Sequence, residues 1–442
     1  MRSSLLVIPA RTPARLRPAL HAFGFALACA SCVPPPPAPR PAPSAAEAPS
    51  PDAPAPSAEP GPEAPAPTEP SPPAAQGAPE LRRFHAALRQ LEDGQRSDHV
   101  RLLWLGDSHG QADFWSGALR KGLQDRFGVG GPGFVHLGYK NYRHDGLKLD
   151  IRGKWRMRPK RPTSTKREAD GAFGLGGLMM GGYAGSPRVV LSLNQPMPGE
   201  RVGYDLCYRL EDREARIQID VPGVPRRVLT PDDARPLHAV LHERFDAPQG
   251  ADLTVTTQGR TSLCGVVVEA DPSAHPGVVL DTLAINGARF GTALAWDEAA
   301  WTSEVARRKP SLLILEYGTN EAGDARPPYQ KVADQALALV ARVRTVAPEV
   351  DCVLVSPTDR ADAESRVPPM RDRLREAAAT AGCHWFDAYE LLGGRGAMKR
   401  LSEEPDPKVQ PDGIHLTIRG YRELGETMLR DLLRGYPEPP KR

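Results

Sequence analysis

The sequence predicts an α/β fold with a parallel sheet that is interrupted by an inserted all-β domain. Short apolar runs, such as Val100–Leu105 and Leu312–Leu315, are typical of strands buried on both faces of a parallel sheet. Segments with helical spacing follow these runs, whereas residues 188–269 form short alternating strands separated by turn residues. This order indicates one layered α/β domain in two parts, with a β-sandwich between them.

The first 79 residues precede this domain and divide into two segments. Residues 1–32 place four arginines before the apolar run Ala19–Ala30, which is the order of a secretory signal. Residues 33–79 hold 19 of the 48 prolines and predict an extended, unfolded tether. The residues around Cys29 and Cys32 resemble a bacterial lipoprotein signal. This implies a lipid anchor on Cys32 (or Cys29) and a periplasmic, membrane-anchored protein; an ordinary cleaved signal is the alternative.

The first part of the α/β domain, residues 80–135, contains a candidate nucleophile. A helix is expected over Glu80–Glu92, and the strand after it leads into Gly-Asp-Ser-His-Gly at residues 106–110. Asp113–Phe127 again has helical spacing, so Ser108 lies on a strand-to-helix turn. Small and polar residues at the carboxyl end of a parallel strand are where open α/β sheets carry out their chemistry. Backbone amides at such a turn also favour developing negative charge.

The inserted segment, residues 136–275, is expected to be a β-sandwich preceded by an irregular basic stretch. Tyr139–Glu168 carries eleven Lys and Arg residues, which indicates either a solvated loop or a contact surface for an anionic glycan. Residues 128–134, just before it, are interpreted as a glycine-rich turn without the Lys-Ser/Thr of a phosphate-binding loop. The predicted strands are Arg188–Leu193, Val202–Tyr208, Ala215–Val221, Leu237–Leu241, Asp252–Thr257 and Cys264–Glu269.

The second part of the α/β domain, residues 276–442, contains three further candidate blocks. Asn-Gly-Ala around Gly287 follows an apolar stretch, and Gly-Thr-Asn ending at Asn320 follows a buried strand. Asp412 and His415 are three residues apart, just before a helix that starts near Thr417. Its apolar positions have helical spacing. The other clear helices are Gln330–Val346 and Arg371–Ala381.

Four cysteines lie within the predicted folded region, an even number that allows two disulfides in an exported chain. Cys352 and Cys383 each open a short apolar run, and parallel neighbouring strands would bring their sulfurs level. Cys207 and Cys264 lie in two strand-like runs of the inserted segment. Two disulfides and free buried thiols both remain compatible with this spacing.

Charge and composition exclude several functional classes. The formal net charge is only +3 and charged residues make up 25% of the chain, so no global field favours nucleic acid. No spacing of Cys and His indicates a metal site. After the N-terminal segment, no run approaches the roughly 20 apolar residues of a membrane span.

The four blocks, in this order, resemble those of the SGNH/GDSL hydrolase family. The resemblance implies a three-layer fold and a serine esterase that needs neither metal nor cofactor. Ser108 would be the nucleophile, His415 the general base, and Asp412 the carboxylate that orients the imidazole.

The same resemblance implies an oxyanion hole. Its donors would be the backbone N–H groups of Ser108 and Gly287 and the side-chain amide of Asn320. Gly291 offers a competing register for the glycine donor. His109, next to the nucleophile, is interpreted as a packing residue.

Within this family the chain looks like the bacterial peptidoglycan O-acetylesterases, which carry a carbohydrate-binding-like β module at a similar place. The resemblance extends over about Leu81–Gly435 and includes Glu321 after Asn320, where many relatives have Asp. It implies removal of acetyl groups from muramyl residues of an O-acetylated glycan in the cell envelope. Deacetylation of another polysaccharide, acetyl transfer to a sugar hydroxyl and a non-catalytic glycan-binding lipoprotein remain alternatives.

Overall fold

The structure is a computed structural model that describes residues 81–437. The signal, lipidation and tether predictions for residues 1–79 lie outside the described residues. The helices are α1 Arg82–Glu92, α2 Ser108–Gln111, α3 Trp115–Phe127, α4 Phe290–Leu294, α5 Glu298–Arg308, α6 Thr319–Ala322, α7 Tyr329–Arg344, α8 Val367–Ala381, α9 Ala388–Leu391, α10 Ala397–Ser402 and α11 Ile418–Leu432. The strands are β1 Val100–Gly106, β2 Val129–Gly131, β3 Gly133–Val135, β4 Leu147–Arg152, β5 Trp155–Arg158, β6 Met179–Gly182, β7 Arg188–Leu193, β8 Arg201–Leu210, β9 Arg216–Val221, β10 Val224–Leu229, β11 Leu241–Pro248, β12 Leu253–Gln258, β13 Thr261–Glu269, β14 Val278–Thr282, β15 Leu312–Glu316, β16 Asp351–Val355 and β17 His384–Phe386.

A six-stranded parallel sheet with the order β17-β16-β15-β1-β14-β2 forms the centre of the α/β domain. Strand β1 lies between β15 and β14, and its register places Gly106 opposite Glu316. The carboxyl ends of these central strands therefore meet at one edge of the sheet, where Ser108 follows β1 and Asn320 follows β15.

Helices cover both faces of this sheet, because its strands are apolar on both sides. Leu103 and Leu313 point into the core shared with α4, α5, α7 and α8. Their neighbours Leu102 and Leu312 point into the core shared with α1, α3 and α11. The three-layer α/β architecture predicted from the sequence is confirmed.

The antiparallel strands form two further sheets, with orders β10-β9-β12-β7-β4 and β11-β8-β13-β6-β5, and β3 pairs with β13. Apolar residues between the two sheets, such as Tyr204, Ile219 and Val255, make a separate core. The all-β insertion predicted from the sequence is therefore present, and its antiparallel strands run from β3 to β13.

Several local predictions were wrong, and each has a physical reason. Residues 128–134 are not a simple turn but contain β2 and β3, whose glycines allow close strand approach: a Cβ at Gly131 would lie 2.5 Å from Val268 O. Tyr139–Glu168 is irregular only in part, because Leu147, Leu149 and Ile151 alternate with charged residues and form an edge strand, β4, which β5 follows.

Two predictions in the sandwich also need correction. Leu237–Leu241 is not a strand, since the strand there is β11 and starts at Leu241. Strand β10, which was not predicted, is a polar edge strand that has Arg226 and Arg227 at its centre and pairs with β9.

Both cysteine pairs form disulfides. Cys207–Cys264 joins the neighbouring strands β8 and β13, and Cys352–Cys383 joins β16 to the residue that precedes β17. All four residues are buried. The free-thiol alternative therefore does not describe these residues.

The helices after the serine and histidine blocks pack against each other with little space between them. A Cβ at Gly425 of α11 would lie 2.7 Å from Ala118 Cβ and 2.8 Å from Trp115 O of α3. Glycine at this position allows the two backbones to approach, and α3 and α11 fix the relative positions of Ser108 and His415. Between residues 81 and 437, no helix has the length and apolar character that crossing a membrane requires.

We expect Gly425→Val to lower the free energy of unfolding by about 2 kcal/mol, because the new side chain overlaps the α3 backbone. Chemical denaturation would measure this loss, and kcat on a soluble ester would fall as α11 moves away from α3. Glu426→Val is the control, since Glu426 is exposed on the same helix. Equal stability of the two variants would contradict this account of the contact.

Candidate active site

Ser108 begins α2, immediately after β1. Asp107 caps this short helix, and its Oδ1 accepts a hydrogen bond of 3.0 Å from His109 N. A Cβ at Gly106 would lie 2.4 Å from Glu316 Oε2, so glycine is required where the chain leaves the strand. The strand-to-helix turn thus holds Ser108 at the carboxyl edge of the sheet.

Ser108, His415 and Asp412 form one hydrogen-bonded chain. Ser108 Oγ lies 2.8 Å from His415 Nε2, and His415 Nδ1 lies 2.7 Å from Asp412 Oδ2. A hydroxyl that donates to an imidazole, which in turn donates to a carboxylate, is the geometry of a serine nucleophile with its base and orienting acid. The structure brings all three predicted residues together.

The loop that carries Asp412 and His415 is held by several backbone contacts. Asp412 Oδ1 accepts hydrogen bonds from Ile414 N at 2.9 Å and His415 N at 3.0 Å. Gln410 N donates to His415 O at 2.7 Å. Burial opposes ionisation of Asp412, but its hydrogen bonds with His415 keep the pKa of this carboxyl below its usual value. Asp412 is therefore a carboxylate at neutral pH and stabilises a positively charged imidazole.

The two predicted backbone donors lie next to each other in the fold. Ile285 N donates to Gly106 O at 3.0 Å, so Gly287 turns away from the sheet beside the Ser108 turn. No group within residues 81–437 accepts the backbone N–H of Ser108 or of Gly287. Gly291, the competing register, lies inside α4, where a Cβ would contact Gln335 and Thr165. The geometry favours Gly287 over Gly291 as the oxyanion donor.

Asn320 lies at the same edge, but its amide is engaged. Nδ2 is 3.0 Å from Asp107 Oδ2 and 3.0 Å from Ala288 O. An amide NH₂ has two protons, so donation to an oxyanion requires one of these two bonds to give way. The oxyanion role of Asn320 stays a prediction, and its contacts already connect the serine block to the Gly287 block.

His109 lies behind the nucleophile. Its Nδ1 is 2.9 Å from the Tyr421 hydroxyl, and its Nε2 is 3.3 Å from Thr358 Oγ1. Burial and the nearby charge of His415 lower the pKa of His109 to about 3, so its ring is neutral at physiological pH. Its contacts are those of a packing residue beneath the triad.

A buried carboxyl pair, Asp107 and Glu316, lies under the serine turn. Glu316 Oε2 accepts a hydrogen bond of 3.1 Å from Asp107 N, so the two carboxyl groups lie close together. Burial raises the pKa of Asp107 to about 6, whereas burial and the adjacent Asp107 raise the pKa of Glu316 well above its usual value. Glu316 therefore holds its proton to a higher pH than a carboxyl group in water does. Sequence reasoning missed this residue, and the available signal was an acidic side chain at the end of an apolar strand.

Glu321, which stands where many relatives of the resembled family have Asp, connects two helices. Its Oε1 accepts from Phe290 N at 2.9 Å, and its Oε2 accepts from Gly318 N at 3.2 Å. These bonds join the start of α4 to the start of α6. Burial outweighs these hydrogen bonds and raises the pKa of Glu321 to about 7. Glutamate is one methylene longer than aspartate, which lets its carboxyl bind the start of α4 as well as the start of its own helix, α6.

Within residues 81–437, the only grouping of three His, Cys, Asp or Glu side chains close enough to hold a metal ion is Cys207, His242 and Glu304. The sulfur of Cys207 is bonded to Cys264, so this grouping has no free thiolate to offer a metal. The candidate lipidation residues Cys32 and Cys29 lie outside the described part of the chain.

Fold and site together define an α/β serine hydrolase. Residues 249–423 match the GDSL-like lipase/acylhydrolase family, a segment that holds Gly287, Asn320, Asp412 and His415, while Ser108 precedes it. The chain therefore contains a GDSL-like lipase/acylhydrolase domain and is a carboxylic ester hydrolase. No curated protein sequence gives a significant match.

Solved structures include an extensive likeness and several partial ones. A peptidoglycan O-acetylesterase is 21% identical to this chain and matches its fold with a TM-score of 0.66. The match covers 80% of this chain and 96% of that protein. A lipase/acylhydrolase from Enterococcus faecalis shares 20% identity over 38% of this chain and 80% of its own, with a TM-score of 0.28. An acetyl xylan esterase shares 14% identity over 36% of this chain and 83% of its own, with a TM-score of 0.29. At 21% identity the first match shows the fold alone. The other two matches have TM-scores too low to support a conclusion about this chain.

We expect Asp412→Asn to lower kcat on 4-nitrophenyl acetate by about 10³-fold or more, because an amide no longer fixes the imidazole tautomer or stabilises its cation. KM should change little, since Asp412 contacts His415 and not the ester. Asp406→Asn, an exposed position paired with Arg419, is the matched control and should keep full activity. A loss below tenfold in Asp412→Asn would exclude this residue as the orienting acid.

We expect Glu316→Gln to flatten the pH dependence of stability. Because burial and the adjacent Asp107 raise the pKa of Glu316 in the folded protein, there is a pH range above its usual pKa in which it is protonated when folded and ionised when unfolded. In that range its contribution to stability falls as the pH rises, by about 1 kcal/mol per unit. The Gln variant lacks this proton and should lose less stability between pH 5 and pH 8. Urea denaturation at both pH values measures the difference, with the exposed Glu426→Gln as control. Parallel wild-type and Glu316→Gln profiles would show that Glu316 does not hold a proton in the fold.

Proposed function

We propose that this chain removes O-acetyl groups from peptidoglycan, at muramyl residues, through an acetyl-Ser108 intermediate. The observation that carries the proposal is the Ser108–His415–Asp412 chain within a fold that contains the inserted β domain. The likeness to a peptidoglycan O-acetylesterase extends over 80% of this chain, and thus over the insertion as well as the α/β domain. This extent supports the peptidoglycan substrate over esters cleaved by the α/β domain alone.

The reaction begins with attack of Ser108 Oγ on the acetyl carbonyl carbon, while His415 Nε2 takes the hydroxyl proton. The tetrahedral intermediate collapses as the sugar–oxygen bond breaks, and His415 returns the proton to the departing sugar hydroxyl. Water then attacks acetyl-Ser108 with His415 again as base, which releases acetate and restores the serine. Asp412 holds the imidazole through both steps.

The oxyanion of each intermediate is bound on the side of Gly287. The Ser108 and Gly287 N–H groups have no acceptor in the described residues, so they can donate to it without losing a bond. Asn320 joins them if it releases Asp107 or Ala288 O. Removing one such donor typically costs about 3 kcal/mol of transition-state stabilisation.

The proposal places the enzyme in the cell envelope, anchored by lipid on Cys32 or Cys29. Two disulfides in residues 81–437 support an oxidising compartment, because thiols in the cytosol are kept reduced. The proline-rich residues 33–79 would separate the catalytic domain from the anchor. This location brings the triad to the wall polymer.

The test measures free acetate released from O-acetylated peptidoglycan and from acetylated xylan by the purified full chain in detergent. We expect release from peptidoglycan by the wild type and a loss of about 10³-fold or more in Ser108→Ala. Release from xylan alone would identify another polysaccharide as the substrate. With a soluble oligosaccharide added as acceptor, loss of polymer-bound acetate without free acetate would indicate transfer to a sugar hydroxyl. No loss from either polymer would indicate a binding role.

A further inference from the structure

A large open cleft lies between the α/β domain and the basic stretch that precedes the β-sandwich. Its volume is about 840 Å³. One wall is the segment 160–166, and the opposite wall is the start of α7, including Lys331 and Gln335. Arg289 and Glu321 lie between these two walls. This volume lies within the roughly 300–1,000 Å³ that is typical of pockets for small molecules.

The cleft lies next to Gly287, one of the candidate oxyanion donors. A Cβ at Gly287 would lie 3.4 Å from Thr163 Cγ2, and Thr292 Oγ1 donates to Thr163 O at 3.1 Å. On the other side, Glu321 of the cleft directly follows Asn320 in the chain. A polymer whose acetyl group reaches Ser108 past Gly287 therefore passes along this wall.

The charge of the cleft is positive and largely unpaired. Two of its guanidinium groups are neutralised, because Arg289 pairs with Asp324 and Arg161 pairs with Glu168. The ammonium groups of Lys160, Lys166 and Lys331 are exposed and have no carboxylate partner among the described residues. The remaining acid, Glu321, is buried and directed to backbone N–H groups. Three lysines are thus available for an anionic ligand.

Lys160 also lines a second cavity, of about 370 Å³, on the β-sandwich. Arg156 and Arg260 line this cavity, and the Arg156 guanidinium lies 4.5 Å from the centre of the Tyr183 ring. Tyr183 is 40% exposed, so its ring is accessible to a sugar face. The positive surface therefore continues from the catalytic edge onto the inserted domain along one segment of chain.

We propose that this cationic strip, formed by Lys160, Lys166 and Lys331 and extended by Arg156, binds the carboxylate groups of a glycan strand. The inference rests on the proposed function and specifies it: the enzyme acts on an acetylated polymer that carries carboxylates, as the peptides of peptidoglycan do. Ammonium groups pair with carboxylates spaced along the strand, and the acetyl ester is thereby presented to Ser108. A neutral acetylated glycan gains no such contact.

The test uses O-acetylated peptidoglycan oligomers and the same oligomers with their carboxylates converted to amides. The strip variant is the full chain with Lys160→Gln, Lys166→Gln and Lys331→Gln combined. The control carries Lys148→Gln, Lys154→Gln and Lys399→Gln, three exposed lysines that line neither cavity. Both variants lose the same charge, and activity on 4-nitrophenyl acetate reports an intact triad.

We expect the strip variant to raise KM about tenfold on the carboxylate oligomers and to leave KM on the amidated oligomers unchanged. The control variant should have the same KM as the wild type on both oligomers. About 0.5 M salt should remove the preference of the wild type for carboxylates, because salt screens the attraction between exposed charges. Equal KM for strip variant and wild type on the carboxylate oligomers would overturn the inference. An equal rise on both oligomers would do the same, since it would mean that no carboxylate is recognised.

Failure of the proposed function is a separate outcome. A wild-type enzyme that releases acetate from neither oligomer contradicts the peptidoglycan substrate, and the strip is then tested on acetylated pectin, which carries carboxylates, against acetylated xylan, which is neutral. Loss confined to pectin in the strip variant retains the inference. No loss on pectin overturns it.

Discussion

The register between β1 and β15 is the constraint on which the rest of the site depends. It places Gly106 opposite Glu316, so the carboxyl of Glu316 lies directly beneath the turn that carries Ser108. That carboxyl binds Asp107 N, and Asp107 in turn binds Asn320. A slip of one residue would turn every side chain of the strand to the opposite face and separate these contacts. The nucleophile and the block after β15 are therefore positioned by the same pairing.

The base reaches this edge by a different route. Asp412 and His415 do not follow a strand of the sheet but precede α11, and α11 is held against α3 by the close contact at Gly425. Two independent contacts thus position the triad: strand pairing positions Ser108, and the packing of α11 on α3 positions His415. Their 2.8 Å hydrogen bond joins them, and His109 packs below it against Tyr421 of α11.

Much of this arrangement could be predicted from the sequence, because buried strands and amphipathic helices have strong periodic patterns. Helix α11 begins after Thr417 as its spacing predicts, and the triad residues follow from motifs close to element ends. The Asp107–Glu316 pair could not be predicted, since it depends on which strands are neighbours and on their register. The edge strand β4 was missed because its Lys, Asp and Arg residues hid the alternation. Strand β11 was misplaced because residues 237–240 are mostly apolar although they lie outside the strand, which starts at Leu241.

The inserted domain shares its interior with the α/β domain. Trp301 Nε1 of α5 donates to Leu175 O at 3.0 Å, and Trp296 and Trp301 lie in one apolar cluster with Phe173, Met179 and the Cys207–Cys264 pair. Cutting out the insertion would leave a tryptophan-lined surface in water, a patch that favours aggregation. The insertion is therefore a further layer of the enzyme, and a change that loosens it would also lower the stability of the α/β domain that carries the site.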